Sequence, residues 1–396
     1  MNSHISNGNN AFARPFACGD FKPIHRAIRS AKYDAITIVD LYLTRRCNFR
    51  CDYCFVEEKN QVDASWNTIN KALRFVLREA KNAPKVSFTL FGGEPLLCFD
   101  VIAELIPLAK RNYLREGKVA EFAVTTNASM ATPEIMSFFR SYGTNLLLSI
   151  DGTRKSHDSH RKYPNGKGTF DSIAGKLLMM KYFQPWLGAR VTPMPDTVEN
   201  LRHEILELYA MGINQFIIGC ATGVSWVNDE YDEYIIQMKA LIKDYIKMRL
   251  RKAPIKLATL EGWSAIKGQD MTHAWGCSAG RSRISIDVDG TIQACAKVQG
   301  SCKGQGFLPF GNVQDGYSEA GLENRSVFYE FPIREREKCL GCEARCICLG
   351  GCPAINYVQT GSVHACPQSD CYLQHLYLGL RKYYLKEMEQ AGLTLD

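Results

Sequence analysis

The sequence predicts an α/β protein, a partial (β/α)6 barrel followed by a small cysteine-rich region. Three observations carry this. Short apolar runs alternate with amphipathic helical stretches from Ala35 to Cys220, residues suited to chemistry recur where those runs end, and ten of the 16 cysteines fall between Cys277 and Cys371. Residues 36–43, 86–91, 121–126, 145–150, 188–192 and 215–219 read as six strands. Residues 65–80, 101–114, 133–141, 170–182 and 199–211 read as the helices between them, with Pro133 suited to a first turn. Repeats of this spacing favour a parallel sheet with crossover helices; curling it gives the barrel, and an open doubly wound sheet is the alternative.

Both arrangements gather ligand sites at the carboxyl ends of the strands. Cys47 follows the first strand, Gly92-Gly93-Glu94-Pro95 ends the second, Thr125-Thr126-Asn127 ends the third, and Ser149 and Asp151 flank the end of the fourth. Beyond the alternation, residues 231–252 form a long amphipathic helical stretch ended by Pro254. Residues 283–288 and 291–294 read as a hairpin with a two-residue Asp289-Gly290 turn, bracketed by Cys277 and Cys295. A cysteine-dense loop follows, and residues 371–390 close the chain as a helix. The expected organisation is an N-terminal arm (1–34), the barrel (35–225), a bridging helix and linker (226–270) and a cysteine-rich domain (271–396).

A chain of 396 residues that is 46% hydrophobic can bury a sizeable core. Its net charge of +7 is spread without a long basic run, which reads as a solvated surface and not as a nucleic-acid interface. No apolar run approaches the ~20 residues needed to span a bilayer, and the first 30 residues hold no signal-like stretch, so a cytoplasmic protein without a membrane partner is expected. In that reducing setting 16 cysteines point to metal or redox chemistry, not to disulfides.

Cys47-Asn48-Phe49-Arg50-Cys51-Asp52-Tyr53-Cys54 is a C-x3-C-x2-C run on the loop leaving the first strand. Three thiolates on one loop can hold three irons of a cubane and leave the fourth without a protein ligand, whereas structural zinc takes four ligands in a closed tetrahedron. An open iron can chelate the amino and carboxylate groups of S-adenosylmethionine and feed its sulfonium an electron, giving methionine and a 5'-deoxyadenosyl radical. A zinc knuckle is the competing reading of the cysteines alone.

With Tyr53 before the last cysteine, this run resembles the cluster motif of the radical S-adenosylmethionine superfamily, and Gly92-Gly93-Glu94-Pro95 is similar to that superfamily's motif for the methionine amino group. The resemblance implies a TIM-like partial barrel with Cys47, Cys51 and Cys54 on a 4Fe-4S cluster. The two glycines would let the ligand approach the backbone, Glu94 and nearby carbonyls would accept hydrogen bonds from the ammonium, and Pro95 would turn the chain. Ser149 and Asp151 resemble the family's fourth-strand segment, which implies a contact of Ser149 with the ribose or carboxylate end of the cofactor. Arg161 reads as a solvent-exposed arginine or as a partner of the cofactor carboxylate.

Cys277, Gly290-x4-Cys295, Cys339-x2-Cys342-x5-Cys348-x3-Cys352 and Cys371 resemble the SPASM extension of peptide-modifying radical enzymes, an α+β auxiliary-cluster domain. The resemblance implies two further 4Fe-4S clusters, three in all. Cys339, Cys342, Cys348 and Cys371 go to the distal one, and Cys277, Cys295 and Cys352 to the nearer one. Relatives that mature sulfatases carry another cysteine where this chain has Met271, so the nearer cluster's fourth ligand is Cys302, Cys366, substrate or none. Cys18, Cys98, Cys220 and Cys346 read as buried or incidental thiols.

In sulfatase maturases an aspartate directly follows the hairpin's last cluster cysteine and acts as general base; here Ala296 and Lys297 follow Cys295, so formylglycine formation is disfavoured unless another carboxylate or Lys297 replaces that base. The expected activity is therefore a carbon-centred cross-link, thioether or cyclophane, in a ribosomally made precursor peptide, with formylglycine formation second and a non-catalytic iron–sulfur electron carrier as the remote alternative. An external one-electron reductant such as flavodoxin or ferredoxin is implied. Only 46 residues precede Cys47, too few for a leader-binding module of about 80, so a separate leader-binding protein or the enzyme's own surfaces would hold the precursor. Arg14, Lys22, Arg26, Arg29 and Lys32 make a basic arm that either grips an acidic leader or covers the barrel's bottom.

Overall fold

Side-chain alternation sets the two faces of the central sheet. In β2 (Lys85–Gly92), Val86, Phe88 and Leu90 are buried while Ser87, Thr89 and Phe91 are half-buried. The same rhythm runs through β3 (Val119–Thr126), β4 (Asn145–Ser149) and β6 (Gln215–Ile218), and in β5 (Gly188–Val191) it begins after the buried Gly188. A parallel strand covered on both sides would be apolar throughout. One face therefore lies under helices and the other stays partly open, the pattern of an incompletely closed barrel.

The computed structural model describes residues 33–56, 59–264, 277–301, 309–329, 336–348 and 350–394. The expected basic arm, Cys18, Met271 and Cys302 lie outside the described residues. Among those described, one eleven-stranded sheet has the order β11-β10-β9-β8-β1-β2-β3-β4-β5-β6-β7. Strand β1 is Ile38–Thr44, β7 is Lys256–Leu257, and β8 to β11 are Arg283–Ile286, Thr291–Gln293, Gly311–Asn312 and Gly316–Tyr317. Neighbours from β1 to β7 pair in parallel. The six expected strands are present, and β7 adds a seventh in the segment expected to be a linker.

Strand β8 pairs in parallel with the free side of β1, Ile38 to Arg283 through Leu41 to Ile286. The sheet thus continues from the barrel into the cysteine-rich region. The β8–β9 hairpin does not close through a two-residue turn. Gly290 N–H donates to Asp287 O at 2.9 Å, Val288 and Asp289 occupy the bend, and Gly290 takes φ +87°. A type I turn followed by a left-handed glycine matches the twist of its strands with one more residue.

Helix starts follow capping chemistry. Ser65 Oγ accepts from Thr68 N–H at 3.0 Å before helix Trp66–Glu79, and Thr132 caps Pro133–Ser141. The single helix expected over 170–182 is two, Phe170–Ala174 and Leu177–Phe183, parted at Gly175, a poor helix former. Helices Asn228–Leu250 and Gln368–Gln390 run side by side in the same direction. Tyrosine pairs 231/372, 234/377 and 245/384 join them, with ring centroids 5.6, 6.3 and 6.3 Å apart. No described helix is long and apolar enough to cross a membrane.

Candidate active site

The C-x3-C-x2-C loop is pinned at its back and open at its front. Arg50 N–H donates to Lys162 O at 2.6 Å and Asp52 N–H to His160 O at 3.0 Å, so residues 50–52 run against 160–162. Phe49 is fully buried with its ring 5.1 Å from that of Tyr163. The Asn48 side chain bonds Ser129 Oγ and Asn127 Nδ2 at 2.8 and 2.9 Å. Cys47, Cys51 and Cys54 are left half-buried on one short loop at the carboxyl end of β1. Burial pushes the Cys47 thiol up to about 11 and raises Cys51 as well, the latter against the opposing pull of Arg161. Binding iron there releases protons.

The glycines of Gly92-Gly93-Glu94-Pro95 have a packing role within the protein. A Cβ on Gly92 would stand 2.1 Å from Thr44 O, and one on Gly93 would stand 2.0 Å from Arg46 O. They admit the backbone that leads into Cys47, and Gly93 N–H and Glu94 N–H donate to Thr44 O and Arg46 O at 2.9 and 2.8 Å. Glu94 is engaged by the protein itself. It is 1% exposed, and its carboxylate accepts from Leu96 N–H (3.0 Å), Thr126 Oγ1 (2.6 Å) and Asn127 N–H (2.7 Å). Burial raises its carboxyl to about 7 despite those donors. Pro95 opens a short 3-10 turn, Pro95–Cys98, and so redirects the chain as expected.

Arg161 is not solvent-exposed. It is 7% exposed and grips Asp151 with Nε at 2.6 Å and Nη2 at 3.1 Å, while Nη1 lies 3.8 Å from Cys51 Sγ. Asp151 also accepts from the Tyr53 hydroxyl and, at 2.9 Å, from Thr192 N–H. Burial is the largest single influence and works against its charge, but the charge and hydrogen bonds of Arg161 together with the Tyr53 hydroxyl and His157 hold the carboxyl below the usual range. Asp151 thus ties Tyr53, the Cys51 side of the loop and β5 together. Burial lowers His157 to about 3, so the ring is neutral. Its Nδ1 accepts from Asp151 N–H at 3.4 Å, and Nε2 faces Thr169 Oγ1 at 3.0 Å. Ser149 ends β4, half-buried on the open face.

A cavity of about 270 Å³ lies in front of the loop. Tyr53, Cys54 and Phe55 form one wall; Thr222, Lys297 and Val358 belong to the others. Lys297 Nζ donates to Thr222 Oγ1 at 2.7 Å, joining the segment after β6 to helix Ala296–Ser301. That helix is fixed from β1, since Asp40 accepts from Ala296 N–H at 3.1 Å and the Tyr42 hydroxyl donates to Ala296 O at 3.0 Å. Asp40 is the carboxylate nearest this backbone in the hydrogen-bond pattern. It is 4% exposed and also bound by Arg283.

The remaining cysteines form two neighbourhoods. Cys277, Cys295 and Cys352 interact with one another, and burial raises Cys277 and Cys295. Cys339 is coupled electrostatically to Cys342, Cys348 and Cys371. Cys366 interacts with Cys348 and Cys371 of this second set, with its Sγ 3.6 Å from Asp370 Oδ2, and also lies beside Gly351, next to Cys352 of the nearer set. His375, unforeseen in the sequence, lies 3.4 Å from Cys342 Sγ, one helical turn beyond Cys371. Among the described residues no three His, Cys, Asp or Glu side chains converge tightly enough to hold a single ion. The fit to clusters rests on which cysteines share a region and not on preformed ligand geometry. Cys98 and Cys220 are buried, as expected of incidental thiols, and the side chain of Cys346 lies outside the described residues.

Comparison with known proteins agrees with this arrangement. The Radical SAM superfamily model matches residues 41–181, which contain the cysteine loop and Gly92 to Asp151. The radical SAM cyclopropyl synthase TigE of Paramaledivibacter caminithermalis is 22% identical over 374 residues, 87% of this chain and 73% of that one. A cysteine-type anaerobic sulfatase-maturating enzyme of Clostridium novyi is 28% identical over 144 residues, 35% of this chain and 38% of its own. Among solved structures, anSMEcpe with bound AdoMet and the Cp18Cys peptide superposes with a TM-score of 0.69 at 18% identity, covering 90% of this chain and 99% of that one. Residues 41–181 thus form a radical SAM domain, and these findings support an enzyme that uses S-adenosylmethionine and a 4Fe-4S cluster. The relatives the chain resembles include sulfatase-maturating enzymes and a cyclopropyl synthase, and its own C-terminal region is cysteine-rich.

Proposed function

We propose that this enzyme abstracts hydrogen from a ribosomally made precursor peptide and closes a carbon-centred cross-link, of thioether or cyclophane type, in the cavity between the first cysteine loop and Lys297. Cys47, Cys51 and Cys54 would hold the catalytic 4Fe-4S cluster. Cys277, Cys295 and Cys352 would hold a nearer auxiliary cluster, and Cys339, Cys342, Cys348 and Cys371 a distal one. When bound, the first cluster and S-adenosylmethionine supply a 5'-deoxyadenosyl radical. The protein's own part is placement. Phe49 and the 160–162 backbone hold the loop, Asp151 and Arg161 fix Tyr53, and Ser149 stands where it can meet the ribose or carboxylate end of the cofactor.

The observation that carries this reading is the cavity, bounded by the cysteine loop on one side and by the segments bearing Cys295 and Cys352 on the other. A space shared by the two regions suits a substrate that both must reach. A peptide substrate is further supported by the peptide in the name of the anSMEcpe complex. Formylglycine formation ranks second because Ala296, which cannot take a proton, stands where the maturases' base is expected, and Asp40 is engaged by Arg283 and Ala296 N–H. An external flavodoxin or ferredoxin would supply electrons in a reducing cytoplasm.

The test is anaerobic reconstitution, reduction and assay of 5'-deoxyadenosine, followed by mass spectrometry of a peptide co-expressed from a neighbouring short reading frame. Loss of two hydrogens supports ring or cross-link formation, including the cyclopropyl closure in TigE's name. An aldehyde in place of a cysteine or serine side chain would replace this reading with sulfatase maturation. Absence of 5'-deoxyadenosine from reduced, iron-loaded protein would end it.

A further inference from the structure

Arg190 lies on the open face of the sheet. It pairs in register with Ser149 on β4 and Ile217 on β6, both half-buried like itself. Its guanidinium reaches the end of β6, where Nη2 would be 3.0 Å from a Cβ placed on Gly219. Any larger residue there would crowd the cation, so the glycine keeps its place open. Gly219 also begins the segment that runs through Thr222 into the cavity wall.

Arg50, on the cysteine loop, is exposed and donates to Cys47 O and Phe49 O, while four other arginines near the site each have an anion. Arg161 has Asp151, Arg45 has Asp287, Arg46 has Asp63 and Arg283 has Asp40. Arg190 makes no ion pair among the described residues. Its electrostatic neighbours are the Cys220 thiol and the Tyr234 hydroxyl, both buried, and burial keeps both protonated. A half-buried guanidinium presents five N–H donors in a fixed fork and matches a carboxylate better than any neutral group. Leaving it without a counter-charge costs part of its hydration with nothing in return.

We propose that Arg190 receives a carboxylate that a bound molecule brings into the mouth of the barrel. Two molecules of the proposed function carry one, and the inference rests on that function for their identity. They are S-adenosylmethionine, through its methionyl carboxylate beside Ser149, and the peptide, through an acidic residue entering from the cavity.

Phenylglyoxal footprinting of the reconstituted full-length protein tests this, with modification of Arg190 read by mass spectrometry. The ligand pairs differ in one carboxylate: S-adenosylmethionine against its decarboxylated analogue, and the tripeptide amide acetyl-Ala-Glu-Ala against acetyl-Ala-Gln-Ala. Slowing of modification by about tenfold with one member of a pair but not the other supports the proposal and names the source. Arg190→Gln then binds both members of that pair alike, while Arg190→Lys keeps part of the preference. Equal modification in every arm, or equal protection by both members of each pair, overturns it. Iron content and S-adenosylmethionine retention are measured on the same sample. Protein that holds both yet shows no selective protection overturns the role of Arg190 alone, whereas protein that holds neither overturns the radical reading and leaves the tripeptide pair to judge Arg190.

Discussion

Around Cys47 the chain is held by strands, close backbone contacts and a buried ion pair, whereas among described residues 336–366 the buried hydrophobic side chains are Ala344, Ala354 and Val363. Helices there are short, four residues each for Glu337–Leu340 and Arg345–Cys348. Backbone carbonyls are gathered instead by polar groups: Asn356 Nδ2 bonds Gly350 O and Val363 O at 3.1 and 2.8 Å. The first site is built on the folded barrel, whereas under the proposed function ligation of its cysteines would be what firms the second region. On that reading the two sets of thiols would contribute differently, one to chemistry on a finished scaffold and the other to finishing the scaffold.

The comparison breaks most visibly if the first cysteines are structural. Replacing Cys47, Cys51 and Cys54 together by alanine is expected to abolish 5'-deoxyadenosine release while far-UV circular dichroism and the melting temperature stay near those of the parent. A collapse of the fold would show that the barrel is no finished scaffold. Next, Cys339→Ser with Cys342→Ser should raise hydrogen exchange across residues 336–366 by about a hundredfold, about 2.7 kcal/mol of local protection, with β2 and β3 unaffected. Uniform exchange in both regions would erase the distinction.

Within the barrel, Asp151→Ala strands the buried Arg161 charge and is expected to cost about 3–5 kcal/mol in denaturant unfolding, with loss of the Tyr53 anchor. Glu94 gives a pH signature. Its folded carboxyl at about 7 lies above the ordinary 4.5, so the native state keeps a proton that the unfolded chain releases. That contribution is present below about 4.5 and is lost as pH rises toward 7, a loss of about 3 kcal/mol. Glu94→Gln should flatten this slope in melts between pH 5 and 7.5. The smallest effect tests the seam between the regions: Tyr42→Phe removes the bond to Ala296 O and should cost about 0.5–1.5 kcal/mol.

Much of the barrel was legible because apolar periodicity is local. All six expected strands and the helix over 133–141 are found, and the cysteine triad stands on the expected loop. What the residues could not reveal depends on partners far along the chain. The glycines were read as room for a ligand because their neighbours Thr44 and Arg46 come from another strand. Arg161 was read as exposed because Asp151, ten residues away, meets it only when the loop folds back. The pairing of β8 with β1 joins residues about 245 apart, and no periodicity encodes a register across that span. Cys366 could be counted in the sequence but not assigned, since spacing alone does not say which thiols share a neighbourhood.

That β1–β8 pairing has a mechanical consequence. The strand leading to Cys47 and the hairpin flanked by Cys277 and Cys295 are laced by backbone hydrogen bonds and not joined by a hinge. Their separation is quantised: a slip of one residue would move the hairpin by about 3.3 Å and turn its side chains to the wrong face. Electron tunnelling between two redox centres mounted on these strands would span a length set by register, insensitive to the thermal swinging that a flexible linker would allow.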